Sequence, residues 1–323
     1  MPKVSVIIPA YNAGQYVGAA VTSVLAQSMR DLTLIVIDDG SNDDTLCEIE
    51  RAAKGDARVQ IISRPNKGIV ATPNEGIDRA DSPWVAMLDA DDVSRPDRLQ
   101  KQLELADARR LTLVGSQIEH VGERSGVSDF PTSHADIVHQ LFVWKNPIAN
   151  PSVLIDRNWL GDMRYPSDCA HAQDYALWLR LALRRDACFG VHPEALVQYR
   201  IHAQQNTTRN LSQLYEGCER ALTSVVREMG LFDPTTVECH TKAFRALPID
   251  NVDEFRNYSW WLATLYAELK RRSGDSRAVY EFWRRLFQKS AKTHRYDMKT
   301  AFRLGAGPLQ NVRYGFKYGV GRR

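Results

Sequence analysis

The sequence predicts an α/β protein organised around a doubly wound, mostly parallel β-sheet with helices on both faces. Five short segments are predicted to be strands, at residues 4–8, 32–37, 58–63, 84–88 and 112–117, and the apolar run of residues 84–88 has the length of one buried strand. Segments with apolar residues at helical spacing separate these strands. Because strands and helices alternate with short connections, a parallel sheet with helical crossovers is the expected arrangement.

The first part of this pattern contains two strands and two helices. Pro9 ends the first strand, because proline has no N–H to donate to a neighbouring strand. The helix that follows carries its apolar residues three and four positions apart, beginning at Val17. The second strand precedes another helix, for which Asp43 or Asp44 is the candidate N-cap.

The second part repeats the alternation. The third strand leads to a helix through Ala80 that accommodates Pro73 in its first turn. The fourth strand leads to a helix over residues 95–108, with Ser94 as the candidate N-cap and Pro96 in the first turn. A fifth strand follows this helix, which completes the predicted sheet.

Three carboxylates follow the fourth strand directly, at Asp89, Asp91 and Asp92. At the end of a buried strand such groups repel one another and lose hydration unless a cation neutralises them. This end of a strand is also where open α/β sheets bind their ligands. The alternative is a solvated acidic turn that precedes the next helix.

Polar residues also follow the first strand, at Tyr11 and Asn12, and the second strand, at Asp38 and Asp39. Because the carboxyl ends of parallel strands share one edge of a sheet, we expect all three groups at the same edge. The sequence contains neither the glycine-rich fingerprint of dinucleotide-binding folds nor the P-loop lysine motif. We therefore expect a site that holds phosphates through a metal ion.

A series of sequence blocks, in order along the chain, resembles the family 2 glycosyltransferases of the GT-A fold. The blocks are VSVIIPAYN (4–12), VIDDGS (36–41), NKG (66–68), NEG (74–76), LDADD (88–92), NPIANPSVL (146–154), QDYALWLRL (173–181) and YRIH (199–202). The resemblance covers residues 4–202 and implies transfer of a sugar from a nucleotide sugar to a hydroxyl with inversion at the anomeric carbon. It further implies a role in bacterial surface-polysaccharide synthesis.

The resemblance implies roles for individual residues. Tyr11 and Asp39 resemble residues that contact the base, usually uracil, which favours a UDP-sugar. Asp89 and Asp91 resemble the two carboxylates of the D-x-D motif. The resemblance implies that Asp174 is the general base and that Asp89, Asp91 and His202 bind Mg²⁺ or Mn²⁺. It also implies a set of residues that bind the nucleotide sugar: Pro9, Ala10, Tyr11, Asn12, Asp39, Lys67, Asp89 and Ala90.

The chain departs from the family pattern at three positions. Gln173 stands where family members commonly carry Glu, and Asn150 stands where many carry His. Pro73 replaces a basic residue that often precedes the asparagine of the NEG block. Lys67 is then the nearest basic candidate for the diphosphate.

The reaction needs the residue types found here. A divalent cation on oxygen ligands stabilises the leaving diphosphate, and Mg²⁺ or Mn²⁺ suits carboxylates. A carboxylate base accepts the proton of the attacking hydroxyl, and the two substrates must be held in line. Other roles remain open: Asp174 as a helix N-cap, and His202 as a hydrogen-bonded structural histidine. Asp38 is predicted to brace the turn at Gly40, and Trp178 to lie in the core.

The chain is predicted to have two parts, a catalytic domain over residues 1–205 and a helical, basic region over residues 206–323. Residues 270–323 contain fifteen Lys and Arg against three Asp and Glu, within a net charge of +3 for the whole chain. The last helix predicted there, residues 277–292, bears a basic face and an apolar stripe of Val279, Phe282, Trp283, Leu286 and Phe287. Such a helix either lies on an anionic membrane, which a lipid-linked acceptor would favour, or packs within its own protein.

The composition predicts a cytoplasmic enzyme. If the basic helix binds lipid, the enzyme would lie at the inner face of the cell membrane as a peripheral protein. Five cysteines are scattered without a close pair, which favours a reducing compartment. No signal-peptide pattern or membrane-spanning run is apparent. Two other functions share the predicted sheet: a sugar nucleotidylyltransferase, which should carry a basic glycine-rich loop near the N-terminus, and an inactive module that only binds nucleotide sugars.

Overall fold

The N-terminal strands form a parallel array, as the sequence predicts. A computed structural model describes residues 2–143, 146–203, 205, 210–245, 247, 249 and 252–294. Over these residues the sheet has nine strands: β1 (Val4–Ala10), β2 (Leu32–Asp38), β3 (Val59–Ser63), β4 (Trp84–Met87), β5 (Val93–Ser94), β6 (Leu113–Gly122), β7 (Gly126–Val127), β8 (Leu154–Asp156) and β9 (Phe189–Ile201).

The strand order explains the burial of the first strand. The order is β3-β2-β1-β4-β8-β6-β9-β5, with β7 paired to β6, and β1 runs parallel to both β2 and β4. Because β1 is central and covered on both faces, nearly all of its residues are buried, which is why it appears as a continuous apolar run. Beyond β4 the sheet is mixed, since β8 is antiparallel to β4 and to β6.

Helices connect and follow these strands. They are α1 (Val17–Leu25), α2 (Thr45–Ala53), α3 (Ala71–Arg79), α4 (Arg98–Arg109), α5 (His134–Val143), α6 (Arg157–Leu160), α7 (Gln173–Ala182), α8 (Leu211–Glu228), α9 (Pro234–Phe244), α10 (Val252–Ser273) and α11 (Ala278–His294). Trp178 is fully buried in α7, which confirms its predicted core position. The fold class predicted from the sequence is therefore confirmed.

The start of α4 differs from the prediction. Ser94 belongs to the short strand β5 rather than to a helix cap, and its hydroxyl accepts a hydrogen bond from Gln27 at 3.2 Å. The helix begins four residues later, at Arg98, so Pro96 precedes it. The two residues of β5 pair with β9, and this pairing takes precedence over the local capping preference of serine.

The chain divides into two compact units. The sheet unit comprises residues 1–133 and 147–217, and the helical unit comprises residues 134–146 and 218–323. The division differs from the predicted boundary at residue 205 in two ways: it falls within α8, and it assigns α5 to the helical unit. The apolar pattern of α5 could not show which unit its buried face would join.

The helical unit has an aromatic core around a buried histidine. The carbonyl of Phe142 accepts a hydrogen bond from His240 Nε2 at 2.8 Å, so Nδ1 accepts from the hydroxyl of Tyr258 at 2.7 Å. Burial lowers the pKa of His240 to about 4, and burial also lowers the pKa of His139 in α5 to about 4. Both imidazoles are therefore neutral at physiological pH.

The apolar stripe of α11 is part of this core. Val279, Phe282, Trp283 and Leu286 are all buried, and Trp283 Nε1 donates to Ser259 Oγ at 2.9 Å. The alternative in which this helix packs within its own protein therefore holds for these four residues. The side chain of Phe287 and all of residues 295–323 lie outside the described part. Among the described helices, none has the length and apolarity to cross a bilayer.

Candidate active site

The loops after β1 and β2 are hydrogen-bonded to each other. Asn12 has a left-handed backbone, with φ of 49°, and its N–H donates to Ser41 Oγ at 2.9 Å. In return, Asn12 Oδ1 accepts from the N–H of Asn42 at 2.9 Å. The carbonyl of Ala10 accepts from the N–H of Asp39 at 2.8 Å. These bonds bring two of the three predicted polar groups together, and they leave the Tyr11 ring 50% exposed.

Asp38 has the structural role that the sequence predicts. Its two oxygens accept from the N–H of Ser41 at 3.1 Å and from Ser63 Oγ at 2.8 Å. The turn then passes through Gly40, whose φ is +74°. A side chain at this glycine would put its Cβ 2.7 Å from the backbone nitrogen of Asn66, so the tight turn requires glycine.

Asp39 is buried and already well bonded. Its Oδ1 accepts from the N–H of Lys67 at 2.7 Å and pairs with the guanidinium of Arg64. Its Oδ2 accepts from the N–H of Gly68 at 3.0 Å. Since a carboxylate oxygen accepts about two hydrogen bonds, Oδ2 retains one acceptor position. Asp39 therefore organises the loop of residues 66–68 in addition to any contact with a ligand.

The side chain of Lys67 forms an ion pair with Glu75. Its ammonium lies 3.4 Å from Glu75 Oε2 and is largely exposed. Glu75 also accepts a hydrogen bond from the guanidinium of Arg64 at 2.8 Å, and this bond, with Arg79 and Lys67, lowers the pKa of Glu75 to about 2. Arg64, which joins Asp39 to Glu75, was missed in the sequence because a single arginine after a strand carries no pattern.

The third polar group is a cluster of three carboxylates. Asp89, Asp91 and Asp92 each have an oxygen within 4.8 Å of the other two. Burial, together with the charges of Asp91 and Asp174, raises the pKa of Asp89 to about 7. Burial and the charges of Asp89 and Asp91 raise the pKa of Asp92 well above its usual range.

The cluster fits a hard divalent cation. Asp92 is 1% exposed, and its Oδ1 accepts from the N–H of Arg200 at 2.8 Å. Its Oδ2 is buried and has no hydrogen-bond partner among the described residues. Three neighbouring carboxylates that include an unsatisfied buried oxygen form an oxygen donor set that Mg²⁺ or Mn²⁺ prefers. The solvated acidic turn does not fit this burial.

His202 lies beside this cluster, as predicted. Its Nε2 is 2.9 Å from Asp91 Oδ2, and its ring packs against Tyr16 with centroids 5.1 Å apart. The guanidinium of Arg200 lies over the same Tyr16 ring at 4.9 Å, and its Nε donates to the carbonyl of Asp91 at 3.1 Å. Arg200 is a site residue that sequence reasoning missed, although it belongs to the YRIH block.

A second hydrogen-bond network, formed by Asn150 and Tyr165, reaches the cluster at Asp89. Asn150 Nδ2 donates to Asp89 Oδ1 at a long 3.4 Å, and Asn150 Oδ1 accepts from the hydroxyl of Tyr165 at 2.8 Å. Burial raises the pKa of Tyr165 well above its usual value, so the hydroxyl keeps its proton. This donated bond orients the Asn150 amide, because the NH₂ group must then face Asp89. Tyr165 was missed because no sequence signal marks it.

Asp174 belongs to the same neighbourhood. Its charge raises the pKa of both Asp89 and Tyr165, which requires that it lie close to them. The alternative role as an N-cap is wrong, because α7 begins at Gln173 and its N-cap residue is Ala172. The preceding residue, His171, has a left-handed backbone with φ of 70°, and Gln173 Oε1 is buried without a partner among the described residues.

Sequence comparisons identify the family of the chain. The model of glycosyl transferase family 2 matches residues 5–160. An uncharacterised glycosyltransferase of Haemophilus influenzae is 32% identical over 64% of this chain and 68% of its own length. The Bacillus subtilis protein TuaG, named as a glycosyltransferase of teichuronic acid biosynthesis, is 31% identical over 62% of this chain and 79% of its own length.

Solved structures share the fold at low identity. Staphylococcus aureus TarS 1-349 in complex with UDP-GlcNAc covers 91% of this chain and 90% of its own, with a TM-score of 0.57 and 15% identity. The mannosyltransferase PcManGT from Pyrobaculum calidifontis, in complex with GDP-Man and Mn²⁺, covers 98% and 88%, with a TM-score of 0.53 and 15% identity. The chain belongs to glycosyl transferase family 2 and is a glycosyltransferase of the GT-A fold.

Proposed function

We propose that this enzyme is an inverting transferase that moves a sugar from a UDP-sugar to a hydroxyl of a glycan or lipid-linked acceptor, with Mg²⁺ or Mn²⁺. The observation that carries the proposal is the carboxylate cluster of Asp89, Asp91 and Asp92, with Asp174 close enough to raise the pKa of Asp89. The first three supply oxygen ligands for a metal, and the fourth supplies a base. An inactive binding module would have no need of this fourth carboxylate.

The donor base is proposed to bind between Tyr11 and Asp39. The exposed Tyr11 ring offers a face for stacking, and Asp39 Oδ2 retains one acceptor position for an N–H of the base. Pro9, Ala10 and Asn12 supply the backbone around this position, and Ala90 lies within the carboxylate cluster. TarS in complex with UDP-GlcNAc favours uridine, and PcManGT in complex with GDP-Man supports guanosine as the second choice.

The diphosphate is proposed to lie between the cluster and Arg200. A bound Mg²⁺ or Mn²⁺ neutralises charge that develops on the leaving diphosphate. Asp89, Asp91 and His202 would hold this ion, and Asp92 contributes the unsatisfied Oδ2. Arg200 donates a hydrogen bond to the backbone carbonyl of Asp91, and its guanidinium lies over the Tyr16 ring. These contacts hold a positive charge beside the cluster, where it would bind a phosphate. Lys67 could contribute only by leaving Glu75.

Asp174 is proposed as the general base. It lies in the first turn of α7, and its charge contributes to the raised pKa of Asp89. A carboxylate in this position would accept the proton of the attacking hydroxyl while the bond between the anomeric carbon and the diphosphate oxygen breaks on the opposite face of the sugar. Inversion at the anomeric carbon follows from this direct displacement.

The acceptor is proposed to be a component of the cell envelope. The similarity to TuaG, named for teichuronic acid biosynthesis, supports a surface polysaccharide. A cytoplasmic enzyme at the inner face of the membrane would meet a lipid-linked acceptor there. The apolar stripe of α11 is buried and cannot insert into a membrane. The basic residues on the other face of this helix would therefore make the contact, by electrostatic attraction to anionic lipids.

A donor screen tests the function. Hydrolysis of UDP-, dTDP- and GDP-sugars by the wild-type enzyme should be measured with Mn²⁺, with Mg²⁺ and with EDTA. We expect release of UDP from one UDP-sugar with a divalent cation and loss of this activity in EDTA. A preference for a GDP-sugar would contradict the uridine assignment, activity in EDTA would contradict the metal, and no release from any donor would support an inactive module.

A further inference from the structure

One fully buried guanidinium lies beside the carboxylate cluster without belonging to it. Arg98, the first residue of α4, is 1% exposed. Its Nη2 donates to the carbonyls of Met87 at 2.9 Å and Val153 at 3.2 Å, and its Nε donates to Gln102 Oε1 at 3.0 Å. These partners are neutral, and within the described part of the chain Arg98 forms no ion pair with a carboxylate.

The charge of Arg98 is therefore balanced at a distance. Burial lowers its pKa to about 9, and the charges of Asp92 and Asp89 act in the opposite direction. A pKa of about 9 keeps the guanidinium protonated at neutral pH. A buried charge without a direct counter-ion is costly, so the nearby carboxylates are the feature that makes it tolerable.

The bonds of Arg98 also join the chain segments that bear the cluster. Met87 is the last residue of β4 and lies two residues before Asp89. Gln102 extends the connection, because its Nε2 donates to the carbonyls of Ser152 at 2.7 Å and Val114 at 3.0 Å. Ser152 closes the short 3-10 turn that begins at Asn150, whose amide reaches Asp89. Arg98 and Gln102 thus link β4, β6 and this turn beneath the site.

We propose that Arg98 is a positioning residue that acts as the built-in counter-ion of Asp89 and Asp92 and holds the site in place before a metal ion enters. The inference rests on the proposed metal site. It has a consequence that a purely structural role would lack: the guanidinium and the metal ion both neutralise the same carboxylates, so the positive charge of Arg98 weakens metal binding while it stabilises the metal-free protein.

Two variants separate charge from packing. Arg98→Met removes the charge and keeps much of the volume, whereas Arg98→Lys keeps the charge and loses the fork that spans two carbonyls. Arg109→Met is the matched control, because it removes the same charge from the exposed end of the same helix. Melting temperature in EDTA and in saturating Mn²⁺, and Mn²⁺ affinity by electron paramagnetic resonance, are the readouts, and neither depends on turnover.

We expect Arg98→Met to lower the melting temperature in EDTA more than in Mn²⁺ and to bind Mn²⁺ about tenfold more tightly than wild type, which corresponds to about 1.4 kcal/mol. Arg98→Lys should bind Mn²⁺ with wild-type affinity even if it melts at a lower temperature. Arg109→Met should match wild type in every measurement. If Arg98→Met folds only when Mn²⁺ is present, the proposal is supported in its strongest form.

Unchanged or weaker Mn²⁺ binding by Arg98→Met would overturn the proposal, as would equal affinities for the Met and Lys variants. Failure of Arg98→Met to fold both in EDTA and in Mn²⁺ would also overturn it, since a metal ion would then not replace the missing charge. Wild type that binds no Mn²⁺ would contradict the proposed metal function instead, so the two failures are distinguishable.

Discussion

The two units of this chain bury ionisable groups of opposite kinds. In the sheet unit, Asp89 and Asp92 are carboxylates whose pKa burial raises. In the helical unit, His139 and His240 are imidazoles whose pKa burial lowers to about 4. The same desolvation acts in both places, but it leaves crowded acids in one unit and neutral bases in the other.

The difference distinguishes a ligand-binding site from a structural core whose polar groups bond to one another. His240 satisfies both of its ring nitrogens with Tyr258 and Phe142, so its neutral form is complete. The carboxylate cluster is incomplete, because Asp92 Oδ2 is buried without a partner among the described residues. An unsatisfied oxygen within a group of neighbouring carboxylates fits a cation site, whereas His240 needs no ligand to complete its hydrogen bonds.

Removing a carboxylate should have the largest effect on turnover. Asp91→Ala takes away a proposed metal ligand and the partner of His202, which costs several kcal/mol of transition-state stabilisation and lowers the rate about 10³-fold or more. UDP-sugar hydrolysis with Mn²⁺ is the measurement. Asp253→Ala, the same change at an exposed position of the helical unit, is the control and should keep full activity. Normal turnover by Asp91→Ala would remove the metal assignment.

Replacing the base should separate chemistry from stability. Asp174→Asn keeps the shape of the side chain but cannot accept a proton, so the rate should fall by about 10²–10⁴. Because Ala172 rather than Asp174 is the N-cap residue of α7, the free energy of unfolding should change by less than about 0.5 kcal/mol. Transfer rates and urea unfolding check the two parts. A large loss of stability together with the activity would favour a structural role.

In the helical unit, replacing a buried polar residue should lower stability. His240→Leu leaves the hydroxyl of Tyr258 and the carbonyl of Phe142 without their partner, which should cost about 2–4 kcal/mol of stability. Hydrogen exchange in α5 and α9 measures this loss locally. His192→Leu, at a half-buried histidine of the sheet unit, is the comparison and should change protection in these helices little. Equal protection in His240→Leu and wild type would contradict the inferred core.

Acid should weaken the helical unit through the same histidine. The pKa of His240 is about 4 in the fold and about 6.5 unfolded, so its full contribution is present above pH 6.5 and is lost as the pH falls toward 4. Between pH 7 and pH 5 the loss should be about 2 kcal/mol, to which His139 adds with the same sign. Hydrogen exchange of α5 and α9, corrected for intrinsic rates, should reveal it. In His240→Leu this part of the pH dependence should disappear.

The smallest expected effect concerns the basic face of α11. Because its apolar stripe is buried, contact with a membrane would depend on charge, at about 1 kcal/mol for each basic residue near an anionic surface. Wild type should sediment with anionic but not neutral vesicles at low salt, and the combined changes Arg284→Glu and Arg285→Glu should reduce this. A variant with Arg51→Glu and Lys54→Glu in the sheet unit controls for net charge. If wild type ignores anionic vesicles, the membrane contact is wrong.

The two units also differ in how much of them could be predicted from sequence. The strands and the groups at their ends were predictable, because a buried parallel strand is a continuous apolar run and the carboxylates follow it at once. Arg98, Tyr165 and Arg200 could not be predicted, since each acts through atoms contributed by segments far away in the chain. Helical periodicity identified the apolar face of α11, but periodicity cannot distinguish a face that meets a lipid from one that meets another helix.

The assignment of α5 to the helical unit limits how this protein can be dissected. The helix comes from the middle of the chain, yet it packs against α10 and α11, and Ile137, Val138, Leu141 and Phe142 are buried. A chain shortened after residue 217 would keep α5 and lose both of its partner helices, exposing a contiguous apolar strip that promotes aggregation. Isolating the sheet unit therefore requires two deletions, one of residues 218–323 and one of residues 134–146 with the chain rejoined. The helical unit, for its part, is an assembly of two separate stretches of one gene, and neither stretch encodes its core alone.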